Sequence, residues 1–549
     1  MEKILFIIPP NMTYDRFVNP NFNERITVKK TGSYGSPITD LPIGIISLSA
    51  YLKKHAEVVI KLIDFNILLN KIENFNFTSF ISFYRNVLFT NDWDEFVPDI
   101  IGISTLFTTG YFNMIDIADV VRDMFPKSLV IAGGGIPTNM YKKILNESTS
   151  FDALCFGEGE KPLLELVKSH EKKKVLNTHQ SWITKENVVC QDSFQYNFIH
   201  NLDEIPFYDY SILDLEAYGL SPTLTNYASF ESNKNLFHIA TSRGCPHRCC
   251  FCASHTVHGR KMRYHSIKRV KEDFIRLKEQ YHAKIIGFQD DHLMANKKRV
   301  YEIVKMAKEL NLQLYFQNGI TIHALDRKLL EVLKNSGITE LVLPIESGSN
   351  RVLKDIMHKP INLSIVKRVV DDCRQLEIDT HANILIGLPG ETKQDIEDTR
   401  EFLKSLDVTW FRIVVATPLV GSEMFDICIQ KNYVNNNYIG CDFKKAVINT
   451  EDFTAEYIEQ KAYLLNLELN FVENSDFRLK NYKKALEGFN NAIKVKQDHA
   501  FAYYFAAKCY EMMGLHDKYQ AYRDEYNALV DKSVLWHDYA THFNLLTLS

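Results

Sequence analysis

The chain has 549 residues, more than one hydrophobic core organises, so two to four domains are expected. A net charge of −4 with Lys and Arg spread along the chain excludes nucleic acid as the default partner. No run of about 18 apolar residues occurs, and MEKILFIIPPN is too short and too soon broken by proline for a signal peptide, so a cytoplasmic protein without a membrane span is expected.

From the N-terminus, ILFII (4–8), VVIKLID (58–64), DIIGIS (99–104), SLVIAG (128–133) and FDALCF (151–156) read as buried parallel strands. Helical spacing covers 42–55, about 75–90, 110–124 and 137–147, and 160–170 follows the last strand. This alternation predicts a doubly wound, Rossmann-like α/β domain over residues 1–195. QSWITKENVVC (180–190) looks like a hairpin, and residues 196–235, with NLDEIPFYDYSILD at 201–214, read as a linker.

A second β/α series spans 236–430. Its strands are FHIATS (237–242), KIIGFQD (284–290), LQLYFQN (312–318), ELVLPIE (340–346), HANILIGL (381–388) and FRIVVAT (411–417). Helices such as 266–281, 297–310, 326–335 and 392–405 separate them, with Gly337 at a helix stop. Six strands are two short of a closed barrel, which predicts a partial (β/α)6 barrel. Residues 431–549 read as helical. Within about 475–530, Asn481 and Leu515 stand at equivalent points 34 residues apart, the tetratricopeptide period. So few repeats are not self-sufficient, so the segment is expected to pack on the barrel.

Four of the ten cysteines crowd into eight positions of TSRGCPHRCCFCASH (241–255). Thiols stay reduced in the cytoplasm, so this is a metal site rather than a disulfide framework. The spacing C-x3-C-x2-C of Cys245, Cys249 and Cys252 lets three sulfurs converge on one centre, with Cys250 a bystander. Three ligands on a 4Fe-4S cluster leave the fourth iron open to a small molecule. The alternative is a zinc ion completed by His247, His255 or His258. Further upstream, strand ends carry the glycine-rich loops GISTLFTTG (102–110), AGGGIPTN (132–139) and FGEGEKP (156–162). They suit the close approach of a large planar or phosphate-bearing ligand, and tight strand-to-helix turns are the alternative. No G-x-G-x-x-G follows a strand, so a dinucleotide is not signalled.

RGCPHRCCFC resembles the signature of the radical S-adenosylmethionine (SAM) enzymes, and the similarity runs from about residue 237 to 425. The resemblance implies that Cys245, Cys249 and Cys252 hold a 4Fe-4S cluster whose open iron chelates SAM, which is cleaved to methionine and a 5′-deoxyadenosyl radical, and that Phe251 lies beside the adenine. It further implies that Asp290 and Asp291 of QDDH meet the SAM amine, though helix capping is the plainer use of paired aspartates. Glu346 and Ser347 of ESGS would hold the ribose hydroxyls and the methionine carboxylate, and Gly387 and Leu388 of NILIGLPGET would contact the adenine.

Together with that barrel, LPIG (41–44), PDIIGIS (98–104), GGGIPT (133–138) and FGEGE (156–160) resemble the cobalamin-binding radical SAM enzymes, the class B methyltransferase type, over residues 1–170. The sequence lacks D-x-H-x-x-G, so the resemblance implies cobalamin held without a histidine ligand, with Thr105, Gly134, Gly135, Gly157 and Glu158 nearest the corrin. The implied reaction is methylation of an unactivated carbon. A non-methylating radical SAM reaction, such as cyclisation or rearrangement, is the alternative, and a zinc-stabilised interaction protein is the alternative of another class. The implied partners are a small-molecule, peptide or carrier-bound substrate and an external flavodoxin- or ferredoxin-type electron donor.

Overall fold

The apolar runs of the N-terminal part form one six-stranded sheet. In the computed structural model, which describes the chain except for residues 21–25, 92, 94, 191–192, 219–234, 317, 319, 436–437, 442–444 and 549, its strands are β1 (Glu2–Ile8), β2 (Val58–Asp64), β3 (Ile100–Ser104), β4 (Leu129–Gly133), β5 (Ala153–Cys155) and β6 (Trp182–Ile183). Their order is β2-β1-β3-β4-β5-β6, parallel throughout except that β6 runs antiparallel to β5. The expected hairpin at 180–190 is therefore one edge strand. Its second arm is a turn, because Thr184 and Asn187 bond each other's backbone amides through their side chains, at 2.8 and 3.1 Å.

Alternation along β1 feeds a core on each face of the sheet. Leu5 and Ile7 join Phe83, Tyr84, Tyr111 and Met114, whereas Ile4 and Phe6 join Ile45, Leu52, Leu163 and Leu166. Each fully buried side chain of this size contributes roughly 1.5–3 kcal/mol. The helix expected from about 75 begins at Phe80, since Ser79 and Ser82 form a reciprocal capping box there. Phe75 and Phe77 precede the helix and still pack on its core, which is why their spacing imitates a longer helix.

The six strands of the second series are present as two parallel sheets of three. β7 (Leu236–Ile239), β8 (Ile285–Phe288) and β9 (Gln313–Tyr315) pair in the order β9-β8-β7, and β10 (Glu340–Glu346), β11 (Asp379–Ile386) and β12 (Trp410–Val415) in the order β10-β11-β12. Helices Ile267–Tyr281, Lys297–Glu309, Arg327–Asn335, Leu363–Gln375 and Lys393–Lys404 connect successive strands. Gln317, in the stretch expected as the third strand, lies outside the described residues.

The described residues gather into two compact units. The first draws on Met1–Leu224, Ser232–Asn318 and Thr417–Asp442, so it holds the N-terminal sheet and β7–β9; the second draws on Gly319–Ala416 and Phe443–Ser549, so it holds β10–β12 and the C-terminal helices. In the second unit, helices Tyr482–Val495 and His516–Lys532 start directly after Asn481 and Leu515. Phe489, Phe501, Phe505 and Trp536 form a core that reaches Trp410 of β12. Among the described residues, no helix is long and apolar enough to cross a membrane.

Candidate active site

β7 stops at Ile239, short of the expected Ser242, and the chain turns into a two-residue ladder that sets Ser242 against Tyr264 and Arg243 against Arg263. Residues 244–262 loop out from this base and carry all three candidate ligands. Gly244 makes the entry at φ 92°, where a Cβ would stand 2.5 Å from the Lys261 carbonyl oxygen, so only glycine lets the two ends of the loop meet. Cys245, Cys249 and Cys252 are partly exposed and outside any disulfide, whereas Cys250 is buried and its carbonyl oxygen accepts from the Met424 amide at 2.9 Å.

Burial, with the nearby Cys252, Asp291 and Cys249 adding to it, pushes the Cys245 thiol up to about 11, so loading a metal there releases a proton. Among the described residues, no three His, Cys, Asp or Glu side chains stand as one ion would hold them. A 4Fe-4S cluster binds each thiolate to a different iron and therefore wants a wider set of sulfurs than a single zinc. Three partly exposed thiols on one short loop fit that demand.

The paired aspartates serve the base of this loop. Asp290 is 2% exposed and accepts from the Thr241 amide at 3.0 Å, the Thr241 hydroxyl at 2.8 Å and the Ser242 hydroxyl at 2.6 Å. Asp291 accepts from the Gly244 amide at 2.7 Å and pairs with His258 Nδ1 at 2.9 Å. Burial pushes the Asp290 carboxyl up; burial also works on Asp291, but His258 and the Gly244 amide outweigh it and hold that carboxyl down. The capping use does not apply to either, because the next long helix is capped by Asn296. Phe251, between Cys250 and Cys252 in the loop, is half-buried.

At the C-terminal edge of the N-terminal sheet, Gly134 has φ 106°, and a Cβ there would lie 2.6 Å from the Thr105 carbonyl oxygen; at Gly135 it would lie 2.7 Å from that of Leu106. The loops after β3 and β4 thus touch backbone to backbone. The Thr105 hydroxyl is buried without a hydrogen-bond partner among the described residues, while Leu106, Phe107 and Phe112 are 61%, 53% and 52% exposed. An orphaned hydroxyl beside a bare apolar shelf fits a flat macrocycle with polar substituents. Glu158, expected near a corrin, is engaged by two arginines: Arg263 at 2.6 and 2.9 Å and Arg243 at 3.3 Å. The neighbouring Glu160 takes Arg243 at 2.7 Å and the Ser47 hydroxyl at 3.0 Å. Burial works against the Glu160 charge, and Arg243 overcomes it, so the carboxyl titrates below its ordinary range. Sequence reading missed Arg243 and Arg263; the available signal was the doubled glutamate of FGEGE, which needs cations once buried.

In the second unit, Glu346 ends β10 at φ 68° and pairs with Lys359 at 2.9 Å. Ser347 is fully buried and shares a hydrogen bond with the Thr399 hydroxyl at 3.0 Å. At the end of the adjacent β11, the amides of Gly387 and Leu388 donate to the same oxygen of Glu391, at 2.6 and 3.1 Å. Gly387 has φ 91°, and a Cβ there would meet Ile458 at 2.8 Å. These four of the residues expected around SAM therefore sit at the ends of two neighbouring strands, with ESGS packed on the helix after β11.

Residues 239–403 match the Radical SAM superfamily, and residues 39–167 match the B12 binding domain. The chain is 26% identical over 470 residues to an uncharacterised methyltransferase of Pyrococcus horikoshii, covering 84% of this chain and 92% of that one. It is 25% identical over 408 residues to the cytidylyl-2-hydroxyethylphosphonate methyltransferase of Streptomyces wedmorensis, covering 68% and 76%. Its fold is similar to that of the cobalamin-dependent S-adenosylmethionine radical enzyme OxsB, solved with aqua-cobalamin and S-adenosylmethionine bound, with a TM-score of 0.61 at 14% identity over 100% of this chain and 82% of that one.

Proposed function

Since the chain is a radical SAM enzyme with a B12-binding domain ahead of the radical SAM domain, we propose that it methylates an unactivated carbon of its substrate. When bound, the 4Fe-4S cluster with SAM supplies a 5′-deoxyadenosyl radical to take a hydrogen atom, and cobalamin supplies the methyl group. Cys245, Cys249 and Cys252 hold the cluster. Asp290 and Asp291 fix the base of their loop. The Thr105 hydroxyl, unpartnered among the described residues, would offer the corrin a hydrogen bond, and Leu106 and Phe107 would offer it an apolar shelf that excludes water.

The observation that carries this reading is that the three-cysteine loop and the glycine-lined sheet edge belong to one compact unit, joined through Glu158. Two relatives that match across most of the chain are named methyltransferases, which supports methylation over other radical chemistry. The electron comes from a flavodoxin- or ferredoxin-type donor in the reducing cytoplasm, and the substrate is a small molecule, a peptide or a carrier-bound group.

Protein produced anaerobically with cobalamin supplied is expected to hold stoichiometric corrinoid beside its cluster. With SAM and dithionite it is expected to release S-adenosylhomocysteine as well as 5′-deoxyadenosine. An intact cluster without corrinoid, or 5′-deoxyadenosine without S-adenosylhomocysteine, overturns methylation.

A further inference from the structure

Two separate lines of contact run from the loop after β5 to the base of the cysteine loop. The first is ionic. Arg243 and Arg263 face each other across the two-residue ladder, and both reach Glu158, whose two oxygens take Arg263 at 2.6 and 2.9 Å, while Glu160 takes Arg243 at 2.7 Å. All four side chains are buried and their charges cancel, so none can be removed without stranding a partner. The second line is aromatic. Tyr196 lies on Gly157, where a Cβ would come within 2.5 Å of its ring, and it stacks on Phe198 at 4.8 Å and 10°. Phe198 in turn lies against Arg263, 4.5 Å from the guanidinium, and against Gly259, where a Cβ would come within 2.9 Å.

Both lines start at Gly157 and Glu158 and end on the residues that open and close the cysteine loop. Close-packed, charge-balanced contacts transmit displacement rather than absorb it. We propose that Glu158 is a positioning residue that couples occupancy of the glycine-lined sheet edge to the geometry of the cluster loop, so that cobalamin bound beside Gly157 changes the surroundings of the cluster. The coupling rests on the function proposed above and adds a device to it: the first domain sets the state of the second.

The test uses the full chain with its cluster reconstituted in Mössbauer-active iron, and reads the Mössbauer spectrum of the oxidised cluster with SAM, before and after hydroxocobalamin, a pair between which no electron passes. In the unaltered protein, cobalamin is expected to shift the spectrum. Glu158→Gln is expected to keep its iron yet lose most of that shift, and Glu158→Asp to restore part of it. Should Glu158→Gln fail to fold, the charge-neutral pair Glu158→Gln with Arg263→Gln is read instead, with the same expectation. A Glu158→Gln or paired variant whose spectrum responds to cobalamin as the unaltered protein does overturns the coupling. So does an unaltered protein that binds cobalamin, measured separately by its visible absorbance after gel filtration, with no spectral change; that outcome leaves the proposed function standing, whereas absence of binding overturns both.

Discussion

Asn470 caps the edge strand β12 at Phe411 from both sides, its amide oxygen accepting the Phe411 amide at 2.7 Å and its nitrogen donating to the Phe411 carbonyl at 2.9 Å. One buried side chain thus does for Phe411 what another strand would do. Asn470→Ala leaves two buried backbone groups unpaired, at a cost of about 1–3 kcal/mol each. The midpoint of urea unfolding is expected to fall accordingly, and an unchanged midpoint would show that the pair is replaceable by solvent. Removing residues 470–549 also uncovers Trp410, whose ring belongs to the C-terminal core, so the truncated chain is expected to aggregate.

The cysteines of the loop separate by burial, and the separation predicts their roles. Ala at Cys245, Cys249 or Cys252 is expected to abolish cluster reconstitution, read as loss of bound iron and of the broad visible absorbance. Cys250→Ala removes only a buried sulfur, so iron per chain is expected to match the unaltered protein. Iron loss in Cys250→Ala would reassign the ligand set.

Much of the fold was legible because the strands are short apolar runs between helices with ordinary caps. Where reading failed, a side chain had replaced backbone pairing: the Ser79 cap shortened a helix, and the Thr184–Asn187 bonds ended a hairpin after one arm. The cysteine spacing also announced the cluster loop, since ligand geometry is local. Glu158 was legible as important, but its partners were not. Its partners Arg243 and Arg263 lie 85 and 105 residues away in the chain, and nothing local marks an arginine that will be buried. The same holds for Asp290, whose three donors come from Thr241 and Ser242 on the preceding strand end.

Leu106 and Phe107 are exposed where the sheet ends, and exposed apolar side chains of this size cost solubility unless something covers them. If cobalamin is the cover, Leu106→Glu puts a charge beneath an apolar macrocycle without disturbing a packed core. Corrinoid retained through gel filtration is expected to fall at least tenfold, with iron content unchanged. Equal retention by Leu106→Glu and the unaltered protein would move the corrin off this shelf.

Glu391 carries the clearest pH dependence. Its carboxyl is buried, with one oxygen taking the Gly387 and Leu388 amides and the other unpartnered among the described residues. Burial, only partly offset by those amides, pushes it up to about 8 from an ordinary value of 4.5. An acid raised in the folded state stays protonated there while the unfolded chain ionises. The contribution of Glu391 to stability is therefore whole below pH 4.5, is lost progressively toward pH 8, and is flat beyond. Gln at this position accepts the same amides, presents a donor where the protonated acid does, and does not titrate. Relative to the unaltered protein, Glu391→Gln is expected to gain on the order of 2 kcal/mol between pH 6 and pH 8, taking about 1.4 kcal/mol per unit. Unfolding midpoints of the two proteins at both pH values decide it: a gap that stays constant would mean that Glu391 is ionised in the folded protein throughout that range.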